Sequence, residues 1–146
     1  MRISIFYDNT NFRLRGWRRA RKIVEWVIRN EKKIPGDLNF ILTDDETIRN
    51  MNLQFLEHDY FTDVITFSDN VENIVNGEVY ISRDTVKSNA LNYKVSLNNE
   101  LSRVIIHGVL HLVGYDDKTD RQKRKMRKME DMWLGKMNLK KDEFFV

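Results

Sequence analysis

The segment between Ser96 and Gly114 places the strongest constraint on how this chain can fold. Ser96 is a residue type that caps the beginning of helices, and Gly114 is the type that most often follows their last turn, so the segment predicts one helix. His107 and His111 stand four positions apart near its C-terminal end, among apolar residues. That spacing puts both rings on one face, with Cβ atoms about 5–6 Å apart. Two polar rings in apolar surroundings need a partner, and the fold has to supply it.

A shared metal ion would be such a partner. The chain has no cysteine, so nitrogen and oxygen atoms must hold any transition metal. Both imidazoles can reach one ion at about 2.0–2.1 Å, and a turn at Gly114 makes Asp116 and Asp117 the candidates for a third ligand. Three such ligands with an open fourth position are typical of a catalytic zinc site. The competing interpretation is a chance pair of histidines, satisfied in the core or on the surface.

Acidic residues near the pair could act on the ligands. Glu100 lies seven residues before His107, on the same helix face, where it could orient a ligand by a hydrogen bond. We expect Asp116 to serve as a turn or capping residue, and Asp63 to fix a strand end or loop rather than contact a substrate.

The remaining pattern predicts a single α+β domain over residues 1–146, with about four strands in a mixed sheet and about five helices. Apolar and β-branched runs predict strands at 1–6, 38–42, 64–67 and 78–81. Helical spacing and capping residues predict helices at 14–30, 44–55, 82–93 and 96–113, and a final helix capped by Thr119 and Gln122.

Several local signals refine this outline. Pro35-Gly36-Asp37 and Asn76-Gly77 are predicted to be turns. Thr43 with Glu46 matches the capping box of the second helix, and Phe55 is expected to face inward from it.

Charge is segregated along the chain. The formal net charge of +3 combines +7 over residues 13–33, +6 over residues 118–128, −9 over residues 34–117 and −1 over the two remaining ends. Basic segments around an acidic middle favour an anionic partner with a metal or cationic centre between them, although both could be solvated helix faces. The phosphate-binding candidates are Arg18, Arg19, Lys22, Lys123, Arg124 and Arg127.

Two classes of protein are disfavoured. No apolar run approaches the roughly 18 residues that a membrane span needs, and an acid at Asp8 comes too early for a signal peptide, so we expect a soluble, cytoplasmic protein. Common zinc proteases carry His-Glu-x-x-His, with the glutamate as general base. Gly108 occupies that position here, so a peptidase would lack its base.

The segment from His107 to Asp117 resembles the signature of the YbeY family of bacterial endoribonucleases and ribosomal RNA maturation factors, His-Gly-x-Leu-His-Leu-x-Gly-Tyr-Asp-His. Ten of its eleven positions are matched or free here. The resemblance continues through Met51-Asn52, Thr62–Phe67, Gly77–Ser82 and Glu100-Leu101-x-Arg103, in the family's order.

The resemblance implies a zincin-like site on the His-x-x-x-His helix, with one Zn²⁺ per chain held by His107, His111 and Asp117. Asp117 stands where the family has a third histidine, and carboxylate is a competent zinc ligand. Leu56 stands where the family has an arginine, so a residue suited to binding a phosphate is missing at that position. His58 and Arg83 are the candidates to replace that arginine.

The function implied by the resemblance is a metal-dependent, single-strand-specific endoribonuclease. It would act on ribosomal RNA, in 3′ end maturation of the small-subunit RNA and in ribosome quality control. The residues alone leave two alternatives open: a non-catalytic RNA-binding assembly factor with a structural metal, or another metallohydrolase. No residue can be identified as the general base.

Overall fold

The computed structural model describes residues 1–56 and 63–137. The four strands are β1 (Arg2–Tyr7), β2 (Ile34–Thr43), β3 (Val64–Ser68) and β4 (Ile74–Ser82). The five helices are α1 (Trp17–Asn30), α2 (Asp45–Leu56), α3 (Arg83–Tyr93), α4 (Leu97–Leu112) and α5 (Asp120–Met137). The predicted α+β class, with a four-stranded sheet and five helices, is confirmed for this part of the chain.

The sheet is mixed, as predicted, with the strand order β1-β2-β4-β3. β1, β2 and β4 run parallel, and β3 pairs antiparallel with β4. The carboxyl end of β2 leads into α2 and that of β4 into α3, so both helices begin at the same edge of the sheet.

Both predicted turns are wrong. Pro35-Gly36-Asp37 lies inside β2, where the register with β4 shifts, and Asn76-Gly77 lies inside β4. The side chain of Asn76 accepts a hydrogen bond from the Asp37 backbone N–H at 2.8 Å, so these segments pair with each other. Glycine at 77 reflects close approach rather than turning, because a Cβ there would lie 2.5 Å from the Phe67 carbonyl oxygen.

One face of the sheet carries the main core. Trp17 of α1 packs edge-on against Phe40 of β2, with ring centroids 5.9 Å apart. Phe40 is the register partner of Val79 in β4, and Val79 lies beneath Gly108 of α4. A Cβ on Gly108 would lie 2.7 Å from a Val79 methyl group, so glycine sets how closely α4 approaches the sheet.

The second helix lies on the opposite face of the sheet. Phe55 of α2 contacts Phe67, which in turn contacts Tyr80, each with ring centroids 5.9 Å apart. Phe55 is nevertheless 58 % exposed, so its predicted inward position is wrong. Ile48, one turn after the helix begins, is instead the fully buried apolar residue among the side chains of α2 that the structure describes.

Most predicted helix caps are confirmed. Ser82 and Ser96 accept hydrogen bonds from the backbone N–H groups of the third helical positions of α3 and α4. Thr119 and Gln122 form the predicted reciprocal pair before α5, at 3.0 and 3.1 Å. The predicted cap of α2 is off by one residue, because Asp44, not Thr43, accepts from the Thr47 N–H, at 2.8 Å.

Within residues 1–56 and 63–137, no helix combines the length and hydropathy that crossing a membrane requires.

Candidate metal centre and adjoining cleft

Helix α4 brings the two histidines together as the spacing predicts. Its residues before His107 are mostly buried, which fixes the helix on the sheet, whereas both rings are partly exposed at its C-terminal end. The ring centroids of His107 and His111 lie 4.6 Å apart, and their Nε2 atoms lie 3.0 Å apart. Both nitrogens therefore face one point in space.

Asp117 converges on the same point. Its Oδ2 atom lies 3.3 Å from Nε2 of His107 and 3.4 Å from Nε2 of His111. Ligands arranged tetrahedrally at about 2.0–2.1 Å from an ion would be about 3.3–3.4 Å apart. The three donor atoms thus fit one small cation, and within the described residues they form the cluster that could hold a metal. Asp116, the other candidate, is exposed.

The turn that carries Asp117 is anchored to the end of α1. Gly114 adopts φ +112°, a conformation that favours glycine, and reverses the chain after α4. Lys33 donates a hydrogen bond to the Val113 carbonyl at 2.9 Å, and the Tyr115 hydroxyl donates to Glu31. The bond to Glu31 raises the pKa of Tyr115 to about 12, so this anchor stays protonated throughout the ordinary pH range.

Glu130 is the residue at this site that the sequence analysis missed. It lies on α5, is 5 % exposed, and its Oε2 atom lies 2.6 Å from Nδ1 of His107. Arg103 donates to the other oxygen of Glu130 at 3.2 Å and to Asp131 at 2.7 Å. A carboxylate accepting from Nδ1–H leaves the Nε2 lone pair of His107 free for a metal.

Charge around His107 favours its protonated form in the absence of a metal. Burial lowers the pKa of His107, but the hydrogen bond and charge of Glu130, together with the charges of Asp63 and Asp117, outweigh burial. The net pKa lies above the ordinary 6.5. A metal at Nε2 would compete with that proton.

A cleft of about 280 Å³ adjoins the candidate metal centre, and His107 and Asp117 belong to its lining. Glu100, predicted to orient a ligand, instead lines this cleft, and the carboxylate bonded to His107 is Glu130. Asp63 also lines the cleft, and its carbonyl accepts from the Ser82 N–H at the start of the β3–β4 pairing, which supports its predicted structural role. Burial raises the pKa of both carboxyl groups.

Of the two candidates to replace the family arginine, Arg83 is the one within the described residues. Arg83 pairs with Asp84 at 3.6 Å and lines a different cavity, with Asn9 and Asp44, so it does not reach the candidate metal centre. His58 lies outside the described residues, as does the segment around it. Basic residues that do line the cleft at the metal centre are Arg103, Lys123 and Arg127.

The two basic segments form α1 and α5, which both pack against α4. Lys123, Arg124 and Arg127 are exposed on α5, and Arg18 is exposed on α1. Arg19 donates a hydrogen bond to the Met137 carbonyl at 3.2 Å, so part of its role is to join the two helices.

Comparisons with known proteins agree with one another. A family model described as Endoribonuclease YbeY matches residues 7–138. A protein of that name from Christiangramia forsetii is 39 % identical over 86 % of this chain and 88 % of its own length. Its counterpart from Cytophaga hutchinsonii is 41 % identical over 91 % of this chain and 94 % of its own length. A solution structure of a Thermotoga maritima protein has a TM-score of 0.61 and 30 % identity, over 92 % of this chain and 88 % of that one.

Proposed function

The chain belongs to the YbeY endoribonuclease family, and from this premise we propose that it is a zinc-dependent, single-strand-specific endoribonuclease. Such an enzyme is a hydrolase that acts on the phosphodiester bonds of RNA. Its proposed role is 3′ end maturation of small-subunit ribosomal RNA and ribosome quality control, which would take place in the cytoplasm with the assembling ribosome.

The observation that carries this proposal is the convergence of three donor atoms beside a cleft with basic residues. His107, His111 and Asp117 present donors 3.0–3.4 Å apart. Two nitrogen donors and one oxygen donor suit zinc, and three protein ligands leave a position for water or substrate. A Zn²⁺ ion bound there would lower the pKa of a bound water to about 7 and polarise a phosphoryl oxygen.

The chain's own residues would prepare the site in two ways. Glu130 accepts a hydrogen bond from Nδ1 of His107 and is itself held by Arg103, so Nε2 of His107 remains a donor to metal. Lys123 and Arg127 line the cleft from α5 and supply positive charge where an RNA phosphate would lie. Arg127 is half-exposed and lies 3.8 Å from Glu130, which leaves its guanidinium accessible from the cleft.

The structure also argues against a peptidase. Position 108, where zinc proteases carry their base, faces Val79 in the core. No side chain could be placed there without moving α4 off the sheet, and none placed there would reach a substrate.

Matched variants test the proposal. Asp117→Ala removes one donor, whereas Asp116→Ala changes its exposed neighbour and leaves the donors in place. Zinc-loaded wild-type protein and Asp116→Ala should cut a labelled single-stranded RNA, and Asp117→Ala should cut it at least about 100-fold more slowly, as loss of metal activation implies. Equal cleavage by both variants would overturn the metal-dependent mechanism. Bound zinc with no cleavage by wild type would favour a non-catalytic RNA-binding protein.

A further inference from the structure

The cleft beside the metal centre contains groups that the metal centre does not use. Val104 and Met126, both 2 % exposed, give it an apolar lining. Tyr93 and Asn89 reach it from α3, and Glu100 reaches it from α4. Such a lining combines apolar and aromatic surface with a few polar groups. It matches a planar ligand that has apolar faces and polar edges.

Two planar side chains, those of Tyr93 and Arg127, lie together at one side of this cleft. Tyr93 is 53 % exposed at the last position of α3, and the Arg127 guanidinium carbon lies 5.5 Å from the centre of its ring. Aromatic rings and guanidinium planes are the surfaces on which proteins stack unpaired RNA bases. Tyr93 is thus exposed where a stacking partner would be needed.

A buried carboxyl lies deeper in the same cleft. Glu100 is 3 % exposed, and the hydrogen-bonded partner of His107 is Glu130, so orienting the ligand does not account for Glu100. A carboxylate accepts hydrogen bonds from an exocyclic amine such as N4 of cytosine, whereas uracil carries an oxygen at that position.

Resting on the proposed ribonuclease function, we propose that this cleft is a subsite for one unpaired nucleobase, stacked on Tyr93 and Arg127 and read at its edge by Glu100 and Asn89. It prefers a base with an exocyclic amine, and therefore cytosine over uracil. The volume of about 280 Å³ is just below the roughly 300–1,000 Å³ range of ligand pockets, which suits one base rather than a duplex. Because His107 and Asp117 also line the cleft, the bound nucleotide adjoins the phosphate that is cut.

Stacking is tested by binding in a cleavage-deficient background. His111→Ala serves as parent, because His111 is a metal donor but not part of the cleft lining. Fluorescence anisotropy with labelled hexacytidylate should show roughly 5- to 150-fold weaker binding for Tyr93→Ala, the fold-change expected for losing one stacked base. Tyr93→Phe should bind as the parent does. Phe6→Ala, which removes a 52 % exposed ring on β1, is the control and should also bind as the parent does. Equal affinities for Tyr93→Ala and Phe6→Ala would overturn the stacking subsite.

Edge recognition is tested by comparing two pyrimidines of equal size. The parent should bind hexacytidylate at least about fivefold more tightly than hexauridylate, the discrimination expected of one good base-edge contact. Glu100→Gln should narrow that ratio, because an amide offers a donor as well as an acceptor. A change at buried Glu100 could also disturb folding, so Asn89→Ala, at a half-buried position, is the second variant. It should narrow the same ratio, and circular dichroism checks that both variants are folded. Equal affinity of the parent for the two oligonucleotides would overturn edge recognition.

The subsite and the proposed function fail in different ways. Wild-type protein that cuts RNA with no dependence on Tyr93 refutes the subsite alone. Tyr93-dependent binding in a protein that does not cut RNA refutes the nuclease and supports the subsite.

Discussion

Glu130 is the most informative residue to change, because it links α5 to His107, a candidate metal donor on α4. We predict that Glu130→Gln weakens zinc binding while the protein stays folded. The amide keeps the size of the side chain but removes the charge that Nδ1 of His107 faces at 2.6 Å. Arg103 retains Asp131 at 2.7 Å, so the substitution does not leave that cation without a partner.

The expected magnitude follows from the contact that is lost. Removing a carboxylate that orients a metal-binding histidine typically costs about 10- to 100-fold in metal affinity, or about 1.4–2.7 kcal/mol. Glu130→Ala is the less useful change. It would break a buried ion pair with Arg103, which costs about 3 kcal/mol or more of folding stability. A loss of zinc affinity could then not be separated from a loss of folding.

Competition with a chelating dye at fixed pH measures the zinc affinity directly. Glu25→Gln is the matched control, because Glu25 pairs with Arg29 at 3.3 Å on α1, away from the candidate metal centre. We expect wild-type affinity in that control and a loss of at least tenfold in Glu130→Gln. Unchanged affinity in Glu130→Gln would refute the role of Glu130 in orienting His107.

Three further predictions concern the site and its surroundings. Asp117→His should keep metal binding while raising the charge of the site by about one unit, since imidazole and carboxylate both donate to zinc; complete loss of metal from a folded variant would show that the turn requires the shorter side chain. Replacing Lys123, Arg124 and Arg127 with alanine should weaken RNA binding and flatten its dependence on log salt by up to about two units, at about 0.7 per phosphate contact, without changing metal content; parental binding would mean that this helix face is only solvated. In metal-free protein, the raised pKa of His107 contributes stability that is present below about pH 6.5 and lost as pH rises through the folded-state pKa. Chelator-treated wild type should therefore lose more thermal stability between pH 6 and pH 8 than His107→Ala, and equal losses would contradict the cause given for the shift.

Local chemistry predicted the parts of this protein that depend on neighbours in sequence. The spacing of His107 and His111 alone determines that their rings share a helix face. Gly114 then returns the chain within reach, which makes Asp117 a candidate on sequence grounds. The Thr119–Gln122 cap is equally local and was equally predictable.

Features that depend on contacts distant in sequence could not be predicted in the same way. Asn76-Gly77 has the composition of a turn, but in the sheet Gly77 lets β4 approach the Phe67 carbonyl. Glu130 lies 23 residues after His107, and only the packing of α5 on α4 brings the two together. A signal did exist, because Glu130 is an acid within the otherwise apolar stripe that includes Met126 and Trp133.

The position of a bound metal tests the central claim most directly. Zinc-loaded crystals measured on both sides of the zinc absorption edge should show one anomalous peak per chain, about 2.0–2.2 Å from Nε2 of His107, Nε2 of His111 and Oδ2 of Asp117. Crystals of His111→Ala, prepared in the same way, should lose that peak. A zinc peak bound elsewhere, or an undiminished peak in His111→Ala, would contradict the assignment of these three residues as the metal ligands.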